Sequence, residues 1–120
     1  MTQKEITING IQYAVVFDLK TIMNFEEITN GQSFFSASLE TMKNRVAVIA
    51  AAAFSANEKT DLTVEKILGD NDYKAVQQVI EAYNIVMTLA GEFFNIPQIE
   101  KNNNPEQPAN AEGDADKQKN

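Results

Sequence analysis

Asn9-Gly10 lies between two segments in which apolar and polar residues alternate, and this pattern constrains the fold more than any other in the chain. Both central positions of a tight two-residue turn need a positive φ angle, so the pair predicts a β-hairpin over residues 5–17. Such a turn pairs Ile8 with Ile11. Because cross-strand partners share a face, one face of the hairpin is predicted to carry six apolar residues: Ile6, Ile8, Ile11, Tyr13, Val15 and Phe17.

A first helix is predicted directly after the hairpin, over residues 19–29, with Asp18 as its cap. Its inner face is predicted to carry the apolar residues Leu19, Ile22, Met23, Phe25 and Ile28. Glu26 falls among these residues on a helical wheel, so it is a candidate for a partly buried, functional carboxylate. The alternative, which we favour, is a structural glutamate that hydrogen-bonds a backbone amide or the hairpin.

Two further helices are predicted in the middle of the chain. Ser36 or Ser38 is expected to cap a helix that runs to about Ser55 and contains an alanine run, which lets a neighbouring backbone come close. A short helix is predicted over residues 64–68, because Gly69 provides a typical helix end.

Residues 71–95 form the longest amphipathic stretch, with Asp70 or Asn71 as the expected cap. Two apolar stripes run side by side along it at spacings of three and four. The stripe predicted to face the core carries Tyr73, Val76, Ile80, Tyr83, Met87, Ala90 and Phe94. The stripe beside it carries Ala75, Val79, Ala82, Val86, Leu89 and Phe93. A helix with this much apolar surface is either covered on two sides by its own domain or shares part of that surface with a partner.

The chain is therefore predicted to be an α+β protein, mainly α, with an N-terminal β-hairpin packed on a small bundle of three or four helices. Residues 1–97 are expected to form a single folded domain, because a chain of 120 residues has no room for a second. Residues 98–120 contain almost nothing apolar. They cannot bury enough surface to offset their ordering entropy, so a disordered, acidic tail is expected.

Composition argues against several classes of function. The net charge is −7, and an acidic surface repels phosphate backbones, so nucleic-acid binding is not expected. The chain has no histidine and no cysteine, which removes the usual zinc ligands, the cysteine nucleophile and the commonest general base. We therefore expect a non-enzymatic protein without catalytic residues, metal or cofactor.

Targeting signals are not evident in the sequence. The N-terminal residues have no apolar segment of the kind found in signal peptides, and the longest apolar run is far shorter than a bilayer span. A soluble, cytoplasmic protein that does not contact a membrane is expected.

Apolar side chains are the remaining candidates for a functional surface. Phe34 and Phe35 lie in a predicted loop, where aromatic residues often anchor contacts with a partner. The second candidate patch lies near the end of the long helix and consists of Ile85, Val86, Leu89 and Phe93. The alternative for this second patch is that the hairpin and the second helix cover both stripes, which would place it in the core.

The N-terminal motifs follow a defined order. A strand ends at an Asn-Gly turn, a second strand contains Tyr13 and Phe17, and a helix with a Glu-rich end precedes a Gly-x-Ser sequence. The segments concerned are Ile6-Thr7-Ile8-Asn9-Gly10, Phe25-Glu26-Glu27-Ile28-Thr29 and Gly31-Gln32-Ser33. This order resembles the small tail assembly chaperones of long-tailed bacteriophages and prophages, and the resemblance covers most of residues 4–97. The extra residue Asn30 departs from the family's pattern.

The resemblance implies a non-enzymatic protein that coats the aggregation-prone, helical tape measure protein, or another tail protein, during tail assembly. It also implies self-association on the client, location in the cytoplasm of a bacterial host, and absence from the finished particle. Two alternatives stay open. One is a structural tail or head–tail component that is retained in the virion, and the other is a small acidic bacterial adaptor or inhibitor.

Overall fold

The computed structural model describes residues 2–69 and 72–95. Their elements follow in the order β1 (Gln3–Ile8), β2 (Ile11–Val16), α1 (Leu19–Ile28), α2 (Met42–Ala56), α3 (Val64–Leu68) and α4 (Tyr73–Asn95). The predicted class, an α+β fold that is mainly helical and begins with a hairpin, is confirmed. No helix in the described ranges combines the length and hydropathy that a membrane crossing requires.

The chain divides into two compact units, Met1–Ala90 and Gly91–Asn120. The first contains the hairpin, α1, α2, α3 and most of α4. Of the second, the structure describes the last turn of α4, residues 91–95. The predicted domain end at residue 97 and the predicted disordered tail, residues 98–120, lie outside the described residues.

The hairpin has the predicted register. Asn9 and Gly10 have φ angles of 53° and 81°, as a tight turn of this type requires. Ile8 pairs with Ile11, and the antiparallel pairing continues to the far end of β1. The predicted apolar face is buried at four positions: Ile6, Ile8, Val15 and Phe17. The other two members of this face are less covered, since Ile11 is about half exposed and Tyr13 is half-buried.

Helix α1 begins as predicted, and two of the five residues predicted for its inner face, Ile22 and Phe25, are buried. The Asp18 carboxylate accepts a hydrogen bond from the Thr21 backbone N–H at 3.1 Å, and the Thr21 hydroxyl accepts one from the Asp18 N–H. Three residues predicted to face inward are instead exposed: Leu19 by 63%, Met23 by 57% and Ile28 by 37%. The buried face carries Thr21, Ile22 and Phe25. Thr21 can be buried because its hydroxyl has hydrogen-bond partners, including the Val16 carbonyl at 3.1 Å.

Helix α2 begins later than predicted. Thr41, rather than Ser36 or Ser38, is its cap, since the Thr41 hydroxyl accepts a hydrogen bond from the Asn44 N–H at 3.2 Å. Ser38 contributes its backbone carbonyl instead, which accepts a hydrogen bond from the Asn44 side-chain amide at 2.8 Å. Residues 46–53 are all buried. Helix α2 packs against β2, α1 and α3, so it forms the centre of the core.

Helix α3 has the predicted bounds, and Thr63 is its cap. Gly69 ends it with a φ of +52°, and a methyl group at this position would meet the Asn9 side chain at 3.1 Å. Helix α4 is capped by the Asp72 carboxylate, which accepts a hydrogen bond from the Ala75 N–H at 3.1 Å. The predicted caps of α4, Asp70 and Asn71, lie outside the described residues.

Among the described residues, Gln78 and Arg45 take part in contacts between α4 and the rest of the first unit. The Gln78 side-chain amide donates a hydrogen bond to the Asn9 side-chain oxygen at 3.3 Å and accepts one from the Asn9 backbone N–H. The Arg45 guanidinium lies over the Tyr83 ring, 4.9 Å from its centroid. These contacts link α4 to the hairpin turn and to α2.

Candidate functional site

The phenylalanine pair predicted to bind a partner is divided between core and surface. Phe34 is buried, and its ring centroid lies 5.5 Å from that of Phe17 and 5.6 Å from that of Phe25. Its assignment to a partner-binding surface was therefore wrong, because Phe34 fills the core beside the hairpin and α1. Phe35 is 71% exposed, with its ring in an edge contact with Phe34 at 5.7 Å. Phe35 stays a candidate for partner contact.

The second predicted patch lies mostly in the core. Val86 and Leu89 are buried, so their assignment to a binding surface was wrong. They belong to the buried face of α4, which carries Ala75, Val79, Ala82, Val86, Leu89 and Ala90. Ile85 is half-buried at the edge of this face. Phe93, which belongs to the second unit, is half-buried and has a ring contact with Phe94 at 5.2 Å.

The first half of the α4 stripe that was predicted to face the core is instead exposed. Tyr73 is 73% exposed, Val76 is 42% exposed and Ile80 is 36% exposed. Their spacing of three and four places them in one line along the helix, and we call these three residues the outward stripe of α4. Tyr83 and Met87 continue the same line and are half-buried. The prediction that this stripe faces the core was therefore wrong for Tyr73, Val76 and Ile80, whereas Ala90, farther along the stripe, is buried as predicted.

Neighbouring side chains position two aromatic residues on this side of α4: Tyr73 of the outward stripe, and Tyr83, which continues its line. The Gln77 side-chain amide donates a hydrogen bond to the Tyr73 hydroxyl at 2.9 Å. Burial raises the pKa of the Tyr83 hydroxyl above 10.0, and the nearby positive charge of Arg45 opposes this increase. Arg45 is itself held by a hydrogen bond from its Nε to the Leu39 carbonyl at 2.8 Å. Positioned aromatic side chains of this kind lose little conformational entropy when a partner binds.

A groove of about 670 Å³ lies between α1, α2 and α3, and we call it the α1–α2–α3 groove. Its apolar lining consists of Ile28, Ala50, Phe54, Leu62 and Val64. Two carboxylates also line it, Glu27 from α1 and Glu65 from α3. Sequence reasoning missed this groove because its walls come from three separate segments of the chain. The one local signal was Phe54, a large side chain at the end of an alanine run.

Polar groups between α1 and α2 satisfy one another and leave no reactive arrangement. The Thr21 hydroxyl and the Ser55 hydroxyl are 2.9 Å apart, and the Asn24 side-chain amide donates to the Ser55 hydroxyl at 3.0 Å. The same amide group reaches the Ala51 carbonyl at 3.4 Å. These contacts pair polar groups that the packing of α1 on α2 removes from water, so their role is structural.

Glu26 is half-buried on α1. Its predicted apolar surroundings are present only in part, because Ile22 is buried whereas Leu19 and Met23 are exposed. Within the described part of the chain, its carboxylate accepts no hydrogen bond, so neither the backbone amide nor the hairpin partner expected for it is found.

Charged groups elsewhere in the described ranges form one ion pair. The Lys66 ammonium lies 2.9 Å from an Asp61 carboxylate oxygen, and both side chains are exposed. The hydrogen bond from Lys66 lowers the pKa of Asp61, and the same bond raises the pKa of Lys66. Among residues 2–69 and 72–95, no group of three or more acidic side chains is placed to hold a metal ion.

No protein-family model, curated protein or solved structure matches this chain. The resemblance to tail assembly chaperones therefore stays a prediction from the N-terminal motifs. The function is inferred from these motifs together with the outward stripe of α4 and the α1–α2–α3 groove.

Proposed function

We propose that this protein is a non-enzymatic tail assembly chaperone that binds the helical tape measure protein of a long-tailed phage and keeps it soluble during tail morphogenesis. The observation that carries the proposal is the outward stripe of α4, where Tyr73, Val76 and Ile80 stay exposed although the neighbouring stripe already supplies the core. The N-terminal motifs over residues 5–35 support the choice of family.

A row of apolar side chains one helical turn apart suits a helical client. Helices pack by fitting the side-chain ridges of one into the grooves of the other, so an apolar stripe on the client can lie against the outward stripe of α4. Burying each of its exposed side chains contributes roughly 1 to 2 kcal/mol. This is weak for one copy, but many copies bound along one long client gain from high effective concentration.

The charge of the chain fits the same role. With a net charge of −7, copies of the chain repel one another, and so do the complexes that they form, which keeps them soluble. A client whose apolar stripe is covered by acidic copies of this chain is therefore protected from aggregation. This activity belongs in the cytoplasm of the bacterial host, where tails are assembled.

Co-expression with a tape measure protein tests the proposal. The wild-type chain is expected to increase the soluble fraction of the client. The double variant Val76→Asp/Ile80→Asp is expected to lose this effect while keeping its fold, since both side chains are already partly exposed. The control Asn84→Asp/Thr88→Asp adds the same charge to two exposed polar positions of α4 and is expected to behave like wild type.

Two results would overturn the proposal. In the first, the wild-type chain leaves the solubility of the client unchanged. In the second, mass spectrometry of purified phage particles finds the chain in stoichiometric amounts. The chain would then be a structural tail component and not a chaperone.

A further inference from the structure

The α1–α2–α3 groove is a second apolar surface, distinct from the outward stripe of α4. Ile28 is 37% exposed and Phe54 is 43% exposed, and both lie along the groove. Large apolar side chains that stay partly exposed in a concave site mark a place where another molecule binds. The volume of about 670 Å³ lies within the range of about 300 to 1,000 Å³ that is typical of binding sites.

The walls of the groove select a helical occupant. Among the described residues, its lining comes from α1, α2 and α3 with the loop that precedes α3, and none of these lining residues belongs to a strand. An added β-strand needs an open sheet edge, and a proline-rich segment needs a groove lined with aromatic residues. Phe54 is the one aromatic residue among the described residues that line the groove. The remaining common mode is an amphipathic helix whose apolar face lies in the groove.

The charges of the groove favour basic residues on either side of the apolar face of that helix. Glu27 and Glu65 lie along it, and no lysine or arginine is among the described residues that form its lining. Neither carboxylate has an ion-pair partner within residues 2–69 and 72–95. Opposite charge on a partner improves both specificity and the rate of association.

We propose that the α1–α2–α3 groove binds an amphipathic helix of a partner protein that carries apolar side chains one turn apart, flanked by lysine or arginine. Phe54 and Ile28 contact the apolar side chains of this helix, and Glu27 and Glu65 pair with its basic flanks. This inference rests on the proposed function in one respect: the partner helix is taken to be a segment of the client protein.

Fluorescence anisotropy with designed helical peptides tests this inference. The probe is a labelled peptide of about 18 residues, long enough to form a helix, with leucine at positions i, i+3, i+4 and i+7 and lysine beside them. A second peptide has glutamate in place of every lysine, and a third has serine in place of every leucine. Wild-type protein is expected to bind the lysine peptide and to bind neither of the others.

Variants of the full chain then locate the site. Glu27→Lys/Glu65→Lys is expected to weaken binding of the lysine peptide by about threefold or more and to gain binding of the glutamate peptide. The control Glu5→Lys/Glu81→Lys makes the same change of net charge at exposed residues outside the groove lining and is expected to keep the wild-type preference.

Phe54→Ser is expected to weaken binding roughly fivefold or more, as loss of a central aromatic contact does. Leu19→Ser, an exposed position outside the lining, is its control.

The inference is overturned if the lysine peptide does not bind wild type, if the groove double variant keeps the wild-type preference, or if both double variants change it equally. Thermal unfolding of each variant, followed by circular dichroism, separates loss of the site from loss of the fold. These results are independent of the client experiment. If the peptides fail while wild-type chain still keeps the tape measure protein soluble, the groove is not the site and the proposed function stands.

Discussion

Helices α2 and α4 are both rich in apolar residues, yet the fold uses them differently. In α2 every residue from 46 to 53 is buried, whereas α4 buries one stripe and leaves Tyr73, Val76 and Ile80 exposed. Helix α2 is buried along this stretch because it packs against three elements, β2, α1 and α3. Small side chains in the alanine run allow these elements to approach α2 from several sides. The apolar content of a helix therefore does not by itself distinguish core from binding surface.

The largest expected difference compares two valines of α4. Val86→Ala is expected to lower the free energy of unfolding by about 2 to 4 kcal/mol, because it deletes buried methyl groups and leaves a cavity. Val76→Ala is expected to change it by less than about 0.5 kcal/mol, because Val76 lies in the outward stripe and alanine is a better helix former. Urea unfolding measures both. Equal costs would mean that the two stripes of α4 do not differ in burial.

The alanine run of α2 is expected to tolerate larger side chains poorly. Ala51→Leu is expected to destabilise the fold by about 1 to 3 kcal/mol, since Ala51 is fully buried and the added atoms force its neighbours apart. Ala56→Leu, at the half-buried end of the same helix, serves as the control and is expected to cost less. Thermal unfolding checks the pair. A neutral Ala51→Leu would show that the elements around α2 are not closely packed.

The contact between Arg45 of α2 and Tyr83 of α4 is expected to contribute less to the free energy of unfolding than the core positions Val86 and Ala51. Arg45→Gln is expected to cost about 0.5 to 1 kcal/mol, because it removes the cation–π contact with Tyr83. It is also expected to raise the pKa of Tyr83 further, since the positive charge of Arg45 opposes the effect of burial. NMR titration of the tyrosine ring measures this shift. Lys43→Gln, an exposed position of α2, is the control, and an unchanged Tyr83 pKa in Arg45→Gln would contradict the contact.

The smallest effect expected is a dependence of stability on high pH. The pKa of Tyr83 is raised above 10.0 in the folded state, so the unfolded chain loses this proton first as the pH rises. Stability is therefore unaffected by Tyr83 below pH 10.0 and falls between that pH and the raised pKa. Urea unfolding at pH 9 and pH 11 is expected to show a smaller decrease for Tyr83→Phe than for wild type. Equal decreases would place the Tyr83 hydroxyl in water.

Local features of the fold could be predicted from the sequence. The Asn9-Gly10 turn fixes the hairpin register because both residues accept a positive φ angle, and Asp18 caps α1 through contacts within four residues. The start of α2 was less predictable, because several serine and threonine residues precede it. Thr41 becomes the cap through the contacts of Asn44 with both Thr41 and Ser38.

The binding surfaces could not be predicted with the same certainty, because they depend on contacts between distant segments. The two stripes of α4 differ by about one residue step of 100° around the helix, so the sequence pattern alone does not decide which one is buried. The contacts of α4 with the rest of its unit, such as those of Gln78 with Asn9 and of Arg45 with Tyr83, join residues that are far apart in the sequence. The α1–α2–α3 groove likewise exists only after three separate segments have packed together.

Hydroxyl-radical footprinting of the chain, alone and bound to a tape measure protein, tests the central claim most directly. In the chain alone, Tyr73, Val76 and Ile80 are expected to be oxidised, while Val86 and Leu89 are expected to be protected. In the complex, the outward stripe is expected to become protected as well. Oxidation of Val86 and Leu89 in the chain alone, or an outward stripe that stays equally reactive in the complex, would contradict the division of α4 into a core face and a client-binding face.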